Sequence, residues 1–537
     1  MNQSISLGLL IKSETLKLDQ FSTYRMFIFP LFSLLTMSVS GAALRSERRS
    51  GLKQHRHLTN GSFEQVGSSL FGAPRVAATD DTLFGSAVSL SSNGMNLAVG
   101  ASGHDVNPLS IGSGAVYFYD FNLATSTWDL SSTILQGEAG EGVGSFMALS
   151  GNGSRVAIRR FPNTSPNHVD IYDTSSGARI GSSLTACGVR GSSVAISNDG
   201  NRVAVSCERS GVNQGSVDIF EWDGADWNIF GSIDGAAIGI SNQGLFGWAT
   251  SFSDSGDRLA VSAPLFTSEG ISRRGVVKVF EYNISAKSWD QVGNDLLGLD
   301  SMSKFGLTID VSGDGSTLFI GNPRFGINGV GRVEIFEFES GSWVTKGNPV
   351  AGSDESDAFG TSISSSFDGN SFAASSANHN DGRGQVRLVQ FDGSNWNEIG
   401  EIEGLDSGDQ FGGGRTAVSI SGDGLRVAAG SKFAMKNGDA TGRVRVFNRL
   451  LLSSALSSKP SAPPSSAPSA SPSSAPSSAP SASPSSAPPA SPSSVPSSAP
   501  SSAPSSATSA SPLPAPSSAP SSAPSPAPSA SPLPVPS

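Results

Sequence analysis

The stretch FGWATSFSDSGDRLAVSAP (Phe246–Pro264), with GVVKVFEY (Gly275–Tyr282) and SWDQVG (Ser288–Gly293) after it, decides the fold of this chain. Apolar and polar residues alternate on both sides of a turn at Gly256, and a period of two is the signal of β-strands. Glycine accepts the positive φ angle that a tight hairpin needs. The stretch therefore predicts a hairpin, a third strand rich in β-branched and aromatic residues, and a fourth strand that opens with Trp289.

The same pattern occurs seven times between Phe84 and Phe447. Five of the six intervals between the turn glycines are 54 to 59 residues long, and the interval after the second copy's glycine is shorter, at 47. These glycines are Gly94, Gly153, Gly200, Gly256, Gly315, Gly369 and Gly424. A repeat of this length that consists only of strands and turns is typical of a β-propeller blade. The sequence therefore predicts an all-β fold, a seven-bladed β-propeller with four strands in each blade.

The seventh copy stops at Phe447 without a Trp strand, and the missing strand is found in front of the first copy. SFEQVG (Ser62–Gly67) matches SWDQVG (Ser288–Gly293), with Phe63 in place of Trp289. We therefore predict that the segment at residues 62–67 supplies the outer strand of the last blade. Such pairing of the two ends would leave no free edge in the ring.

Small residues end the second strand in five copies, and we attribute them to crowding of the inner strands near the ring axis. They are Gly100-Ala101, Ser206-Cys207, Ser262-Ala263, Ser375-Ser376 and Gly430-Ser431. The third strand follows the pattern Val-x-Ile/Val-Phe, as in VKVF (Val277–Phe280). We expect its large side chains to fill the space between neighbouring blades.

The first 61 residues differ in composition from the repeats. Arg25 precedes the apolar segment MFIFPLFSLLTMSVSGAA (Met26–Ala43), which ends in small residues, the pattern of a secretory signal peptide. An uncleaved signal-anchor is the alternative, because the apolar segment is close to the minimum length for a bilayer. We therefore assign residues 1–43 to a signal peptide or signal-anchor, 44–61 to a basic linker and 62–450 to the propeller.

Residues 451–537 are almost entirely Ser, Ala and Pro, in a near-periodic Pro-Ser-Ser-Ala-Pro-Ser pattern. Without aromatic residues and almost without charge, this tail cannot bury a core, so we predict a disordered stalk. Frequent proline favours an extended conformation. Such tracts resemble those of plant and algal wall glycoproteins, where O-glycosylated stalks are common. The resemblance implies a secreted, cell-surface or cell-wall location.

The charge of the repeat region restricts its partners. The whole chain has a net charge of −10, but residues 62–450 hold 26 Lys/Arg and 42 Asp/Glu. An acidic surface repels phosphate backbones, so nucleic acid is excluded as a partner. We expect an extracellular protein or glycan as the partner of a monomeric head. Contact with a membrane is expected only if the apolar N-terminal segment stays uncleaved.

Two kinds of site depend on secretion. The only cysteines, Cys187 and Cys207, fall near the same end of one predicted hairpin, and a disulfide between them is a candidate in an oxidising compartment. Two small buried thiols are the alternative. Four Asn-x-Ser/Thr sequons follow the signal segment and are candidates for N-glycosylation: Asn60, Asn152, Asn163 and Asn283.

A Phe-Gly pair opens most copies, followed by V-x-L-S and then L-A-V-G-A in the clearest ones. The pairs are Phe84-Gly85, Phe246-Gly247, Phe305-Gly306, Phe359-Gly360 and Phe411-Gly412. With these motifs, residues 84–450 resemble the FG-GAP repeats of the integrin α-subunit propeller, although Val143-Gly144 replaces the pair in the second copy. The Asp-Gly turns also resemble those of WD40-like and YVTN-type propellers.

The FG-GAP resemblance implies a metal site in some blades, because such repeats often bind Ca²⁺ through an Asp-x-Asp/Asn-x-Asp-Gly loop. Only the fifth copy approaches this pattern, with Asp310, Ser312 and Asp314 before Gly315, and no clear bidentate acid follows. These three residues are a weak candidate, and we otherwise predict neither a metal nor a cofactor. None of the five histidines has a zinc spacing.

Propeller ligands commonly use the rim where the loops between second and third strands meet the loops joining blades. Those loops are long and unequal here, which makes their charged residues candidate ligand contacts: His104, Asp105, Arg273, Arg274, Arg324, His379, Asp381 and Arg383. Solvated loops without a ligand are the alternative for any one of them. The sequence contains no serine nucleophile elbow and no glycine-rich phosphate loop.

Three functions remain open at the level of the sequence. The first is a non-enzymatic, adhesion-type binding protein that presents a propeller head on a Pro/Ser stalk. The second is a propeller hydrolase or lyase acting on extracellular polysaccharide through carboxylates that meet in the central channel. The third is a structural matrix protein without a discrete ligand. Fold resemblance alone does not decide among them.

Overall fold

The structure is a computed structural model that describes residues 63–74, 81–105, 107, 111–162, 166–185, 191 and 193–450. The predicted signal segment, basic linker and Pro/Ser tail lie outside these residues, as do Asn60, Asn163 and Cys187. The described chain forms seven β-sheets arranged as the blades of a propeller, together with one small hairpin in a loop. The all-β, seven-bladed prediction is therefore confirmed.

Blades 1 to 4 follow one another along the chain. Blade 1 has strands Phe84–Leu90, Asn96–Ala101, Ala115–Asn122 and Thr127–Gln136, and blade 2 has Met147–Leu149, Arg155–Arg160 and His168–Asp173. Blade 3 has Val194–Ile196, Arg202–Ser206, Ser216–Trp222 and Trp227–Asp234. Blade 4 has Thr250–Phe252, Arg258–Ala263, Val276–Asn283 and Ser288–Gln291, with the short strand Leu296–Leu297 beside the third.

Blades 5 to 7 complete the ring. Blade 5 has strands Thr308–Val311, Thr317–Asn322, Arg332–Glu339 and Ser342–Thr345, with Val350–Ala351 beside the third. Blade 6 has Phe359–Ser365, Ser371–Ser376, Gln385–Phe391 and Trp396–Glu403. Blade 7 has Val418–Ile420, Arg426–Ser431 and Arg443–Arg449, and its loop holds the hairpin Met435–Lys436 and Asp439–Ala440. The helical segments are the single turns Ile327–Gly329 and His379–Gly382.

The front of the described chain closes blade 7. Phe63–Gln65 pairs antiparallel with Arg443–Arg449, in the register Phe63↔Arg449 and Gln65↔Phe447, and Leu70–Phe71 pairs further along the same strand. Phe63 packs against the core between blades 6 and 7. The predicted closure by residues 62–67 is therefore confirmed for its described part.

Blade 2 departs from the four-strand prediction. Its sheet has three strands, and the following segment contributes only the isolated bridges Val169↔Leu184 and Tyr172↔Arg179. This segment, GARIGSSL (residues 177–184), has two glycines and little alternation of apolar and polar residues. Glycine weakens a strand because it loses the most backbone freedom and brings no side chain to pack.

The Phe-Gly pairs explain how neighbouring blades are joined. All five phenylalanines are fully buried. Each backs onto a positive-φ glycine at the end of the preceding blade's loop, where a Cβ would collide with the phenylalanine backbone. The contacts are Gly442 with Phe84, Gly215 with Phe246, Gly275 with Phe305, Gly331 with Phe359, and Gly384 with Phe411. Gly114 makes the same contact with Val143 in blade 2.

The glycine of each Phe-Gly pair lies against the preceding blade. Its close approach explains why the second strand of that blade ends in small residues. A Cβ on Gly306 would lie 3.0 Å from Cβ of Ser262 and 2.9 Å from Cγ2 of Val277. A Cβ on Gly85 would likewise lie 3.0 Å from the Cα atom of Gly430. The small residues therefore serve the seam between blades, a different cause from the crowding at the axis that we inferred from the sequence.

Seven backbone hydrogen bonds link the first hairpin turns into a closed circle at one end of the ring, which we call the turn face. They run from Ser92 N to Gly151 O, Asn152 N to Asn198 O, Asn198 N to Asp254 O, Asp254 N to Gly313 O, Asp314 N to Phe367 O, Phe367 N to Gly422 O, and Gly422 N to Ser92 O. Every blade is bonded to both neighbours, so the circle fixes the turns of all seven blades to one another.

Arginines at the start of the second strand form a further clasp between blades. Arg258 donates through Nη1 to the carbonyl of Gly315 in the next blade at 2.7 Å, and its Cζ lies 4.6 Å from the centre of the Phe338 ring. Arg155, Arg202 and Arg426 donate in the same way to Gly200, Gly256 and Gly94. The recurrence of Arg two residues after the turn glycine is the signal of this clasp in the sequence.

We predict that Phe63→Asp destabilises the whole ring. The substitution places a charge among the apolar residues between blades 6 and 7 and weakens the closing strand. The free energy of unfolding should fall by about 2–4 kcal/mol. Thermal unfolding of the full chain measures this, with exposed Glu64→Ser as the control on the same strand. Equal melting temperatures of wild type and Phe63→Asp would contradict the closure.

Gly306→Ala tests the seam between blades. Its φ of 82° is unfavourable for alanine, and the added methyl would overlap Val277 and Ser262. We expect a loss of about 2–4 kcal/mol. Gly341→Ala is the matched control, since Gly341 has a φ of 86° but nothing within 4 Å of the added carbon, so it should lose only about 1 kcal/mol. Chemical denaturation compares the two, and equal losses would refute a role for the contact.

Candidate functional site

The loops between second and third strands share one end of the ring with the loops that lead into the next blade. Phe359 N donates to Val330 O at 3.0 Å, Phe411 N to Arg383 O at 3.0 Å, and Leu245 N to Asn213 O at 3.0 Å. We call this end the loop face, opposite the turn face. All eight predicted rim residues belong to its loops: His104, Asp105, Arg273, Arg274, Arg324, His379, Asp381 and Arg383.

The two predicted residues of blade 1 are buried. His104 is 6% and Asp105 is 4% exposed, and Asp105 Oδ1 accepts a hydrogen bond from Gly112 N at 2.7 Å. The His104 ring lies edge-on to Tyr117 with 6.1 Å between ring centres. Burial lowers the pKa of His104, and the charge of Asp105 partly offsets this. The hydrogen bond of Asp105 holds the loop in shape, and neither side chain offers much surface to a ligand.

The adjacent arginines of blade 4 have different environments. Arg274 is buried, donates through Nε to Gly298 O at 2.7 Å and pairs through Nη1 with Glu269 at 2.7 Å. Arg273 is exposed, on a backbone with a φ of 49°. Of the pair, only Arg273 presents its guanidinium to solvent.

A cleft of about 470 Å³ opens on the loop face between blades 5 and 6. Its walls come from the blade 5 loop, the blade 6 loop, the segments that lead into blades 5 and 6, and the first strand of blade 6. They comprise Leu307, Pro323, Arg324, Asn328, Gly329, Ser356, Ala358, Thr361 and Asn378. The volume lies within the range of small-molecule binding sites in proteins, and amide, hydroxyl and guanidinium groups converge on it. Arg324, a predicted contact, is exposed in this cleft.

His379 stands next to the cleft, paired with an acid that the loop pattern did not select. Its Nδ1 lies 3.0 Å from Oδ1 of Asp357, which is 2% exposed. Oδ2 of Asp357 accepts hydrogen bonds from the backbone N–H groups of Ser353, at 3.1 Å, and Asp354, at 2.9 Å. Nε2 of His379 is 3.9 Å from Glu403. Asp357 therefore fixes both the loop and the imidazole, and the acid two residues before Phe-Gly, repeated at Asp409, is its signal in the sequence.

The other two predicted residues of blade 6 lie in the same loop. Asp381 is exposed, with a φ of 58°. Arg383 is partly buried, and its carbonyl accepts a hydrogen bond from Phe411 N at 3.0 Å. The structure thus places Arg324 in the cleft and His379 next to the cleft residue Asn378. The carbonyl of Asp381 accepts a hydrogen bond from Ser407 Oγ in the loop into blade 7, and His104 and Asp105 lie in blade 1.

Two groups of residues bear on metal binding. Asp354, Asp357 and His379 offer ligand atoms within 4.8 Å of one another. The hydrogen bonds of Asp357 already account for that grouping, so we assign no ion there. In the weak candidate of blade 5, Asp310 contacts Ser251 and Ser365 of the neighbouring blades, whereas Asp314 accepts hydrogen bonds from Ser312 and Ser316. The two carboxylates are thus engaged with different partners.

The central channel has a volume of about 260 Å³ and is lined by the inner strands of all seven blades. Serine hydroxyls bridge these strands, as where Ser251 Oγ accepts from Val311 N at 3.1 Å and Ser364 Oγ from Ile420 N at 3.1 Å. Asp310 takes the equivalent place in blade 5 and accepts from Ser365 N at 2.7 Å. Burial raises the pKa of Asp310 to about 6 despite its hydrogen bonds, and Asp254 adds to the rise.

Arg415 of blade 7 reaches across the channel at the loop face. Its Nη1 donates to the carbonyl of Trp248 in blade 4 at 3.0 Å, and its Cζ lies 4.5 Å from the centre of the Trp248 ring and 5.2 Å from that of Phe146 in blade 2. Burial lowers the pKa of Arg415 to about 10, although the negative charge of Glu208 acts to raise it. The repeat pattern could not predict this contact across the ring, because Arg415 belongs to an insertion in blade 7 that the other copies lack.

The remaining candidates concern covalent modification. Cys207 is fully buried and disulfide-bonded, and the only other cysteine of the sequence, Cys187, lies outside the described residues. Asn283 is exposed on the outer hairpin of blade 4, where its side chain bonds Asp290 at 2.8 Å. Asn152 is exposed at the turn face, where its side-chain nitrogen lies 3.3 Å from Asp199 O. Glycosylation of these two positions stays a prediction.

No known protein family and no curated protein matches this chain. Among solved structures, Kuenenia stuttgartiensis Hydrazine Synthase is similar, with a TM-score of 0.43 and 14% identity over 66% of this chain and 95% of that chain. A likeness at this level supports no argument about function. The FG-GAP resemblance stays a prediction. Among the described residues, no helix has the length and apolar character needed to cross a bilayer.

Asp310→Ser should stabilise the ring above pH 6. The pKa of Asp310 rises from 3.8 to about 6 on folding, so folding favours the protonated acid. Its contribution to stability is therefore present below about pH 4 and is lost as the pH rises through 6. Serine, the residue of four other blades at this place, has no such dependence. Chemical denaturation at pH 4.5 and pH 7.5 measures the change in the free energy of unfolding between the two pH values. This change should be smaller in Asp310→Ser than in the wild type, by about 1 kcal/mol or more. Exposed Asp439→Ser is the control, and an unchanged pH difference in Asp310→Ser would contradict the assignment.

Proposed function

We propose that this chain is a secreted or cell-surface binding protein whose propeller head takes its ligand in the cleft between blades 5 and 6. The observation that carries the proposal is the cleft itself, about 470 Å³ in volume and lined by polar groups from three loops. Loops held by a rigid scaffold are the usual place for binding residues. The seams and the closed circle of hydrogen bonds supply that scaffold here.

The contrast between loops supports this choice of site. In blades 1 and 4, His104 and Asp105 are buried, and Arg274 is paired with Glu269 and bonded to the carbonyl of Gly298. In the cleft, by contrast, Arg324 and Asn378 are exposed. Exposed polar side chains that make no such internal contact remain available to bind a ligand.

An extracellular setting is supported by three features. The apolar segment at residues 26–43 has the pattern of a signal peptide. Cys207 is disulfide-bonded, and disulfides persist in oxidising compartments. The Ser/Ala/Pro tail has the composition of a glycosylated stalk. In this proposal the tail acts as spacer or tether and the ring as the binding head.

The central channel gives less support to a polysaccharide hydrolase. Asp254 and Asp310 both line it, and the pKa of each is raised chiefly by burial. Both oxygens of Asp310, however, accept hydrogen bonds from neighbouring blades, and Arg415 crosses the channel at the loop face. A general acid must reach the leaving group of its substrate. The open cleft meets the requirement of access better than the channel does.

Asn378→Trp tests the proposed site by filling the cleft. The exposed Asn378 lines it, so an indole there should exclude the ligand while the ring stays folded. Binding of the full chain to an array of acidic and neutral polysaccharides should weaken on the order of tenfold or more, about 1.4 kcal/mol. Asn348→Trp is the matched control, because Asn348 is an exposed asparagine without a positive φ that lies after the fourth strand of blade 5, outside the cleft. Equal binding by both variants would refute the proposal.

A further inference from the structure

Three cationic side chains gather on the loop face beside the cleft. Arg273 and Arg324 are exposed, and Lys304 is partly buried. Their loops are joined by the hydrogen bond from Met302 N to Ser272 O, at 2.9 Å. The two guanidinium groups act on Lys304 directly, since they lower its pKa together with burial, which is the larger cause. We call Arg273, Lys304 and Arg324 the basic cluster.

The basic cluster lacks internal counter-charges. Three other cations of the loop face are paired: Arg274 with Glu269, Arg160 with Glu141, and Arg443 with Asp409. Across the described part of the chain, no carboxylate oxygen comes within 4.0 Å of a charged nitrogen of the cluster. Like charges held together without a counter-ion repel one another, so a bound anion would relieve that repulsion.

The basic cluster borders the cleft. Leu307 N donates to Lys304 O at 3.1 Å, and the side chains of Leu307 and Arg324 both line the cleft. Beyond them the walls carry the amides of Asn328 and Asn378 and the hydroxyls of Ser356 and Thr361. A ligand in the cleft would therefore meet neutral hydrogen-bonding groups on one side and three positive charges on the other.

We infer that the cleft binds an acidic polysaccharide, with sugar hydroxyls against its amide and hydroxyl walls and a carboxylate or sulfate against the basic cluster. This inference rests on the proposed function and names its ligand class. Planar guanidinium groups bind carboxylate and sulfate oxygens with two parallel hydrogen bonds, and an ammonium group adds a compact charge.

A polysaccharide fits this site better than an acidic peptide does. Arginine clusters bind acidic peptide motifs as well, but most other modes of peptide recognition use an open strand edge or an apolar groove for side-chain anchors. The apolar lining of the cleft is limited to Leu307, Pro323 and Ala358, and its remaining side chains are polar. The rest of the head is acidic, with 42 Asp/Glu against 26 Lys/Arg in residues 62–450. A polyanion would be repelled elsewhere and directed to the basic cluster.

The test measures binding of the full chain to immobilised dextran sulfate and polygalacturonate, with neutral dextran and polyglutamate as comparison ligands. Lys304→Gln and Arg324→Gln should each weaken binding of the acidic polysaccharides by roughly three- to tenfold. Lys287→Gln is the matched control, because Lys287 also has a left-handed backbone, with a φ of 55° against 57° at Lys304, but lies on the outer hairpin of blade 4. Lys287→Gln should bind the acidic polysaccharides as tightly as the wild type does. All variants should have the same melting temperature as the wild type.

Two further measurements sharpen the test. Glu355 accepts a hydrogen bond from Asn328 Nδ2 at 2.9 Å at the edge of the cleft, so Glu355→Gln removes a negative charge and should tighten binding. Dextran sulfate should raise the pKa of Lys304, followed by NMR of the labelled side chain, because a bound anion offsets the two arginines. Affinity should also fall as salt is added.

The outcomes separate the ligand class from the binding site. If neutral dextran binds as well as dextran sulfate and Asn378→Trp abolishes both, the cleft is the site and its acidic ligand class is wrong. If polyglutamate binds more tightly than the polysaccharides and loses affinity in Lys304→Gln, the ligand is an acidic peptide. If acidic polysaccharides bind but neither Asn378→Trp nor Lys304→Gln weakens them, the site and the proposed function both fail.

Discussion

The close approach of each Phe-Gly pair to the preceding blade is the constraint on which the ring depends. A single blade exposes two apolar faces and is stable only when both are covered by neighbours. The buried phenylalanine covers a face, and its glycine allows two backbones to meet where a methyl group would already overlap, as between Gly85 and Gly430. Repetition of this seam around the ring, helped by the arginine clasps, fixes the loops that carry the cleft.

Much of this fold could be predicted, because its determinants recur. The turn glycines, the Val-x-Ile/Val-Phe strand and the match of SFEQVG to SWDQVG sufficed for the blade number and for the closure at Phe63. Blade 2 was less predictable, since its fourth segment has lost the alternation that marks a strand. The role of the small second-strand residues also needed coordinates, because the sequence shows their size without showing which neighbour they touch.

The site was harder to predict because its parts are far apart in the sequence. The loop pattern selected Arg273, Arg324 and His379, but it also selected His104 and Arg274, which are buried. Lys304 was not selected, because it directly precedes a Phe-Gly pair and so lies outside the loops between second and third strands. Such residues form a binding site only because neighbouring blades bring them close together. The repeat pattern of a single sequence does not show which residues of different blades are close.

The pairing of Phe63–Gln65 with Arg443–Arg449 has a mechanical consequence. The strand that leads out of the ring toward the tail is an interior strand, flanked by Arg426–Ser431 on one side and by Phe63–Gln65 on the other. A pull applied at the C-terminal end would therefore be shared by two ladders of hydrogen bonds. The chain also enters and leaves the ring side by side, so tension at either end would be borne by blade 7, while the loops of blades 5 and 6 would keep their shape under strain.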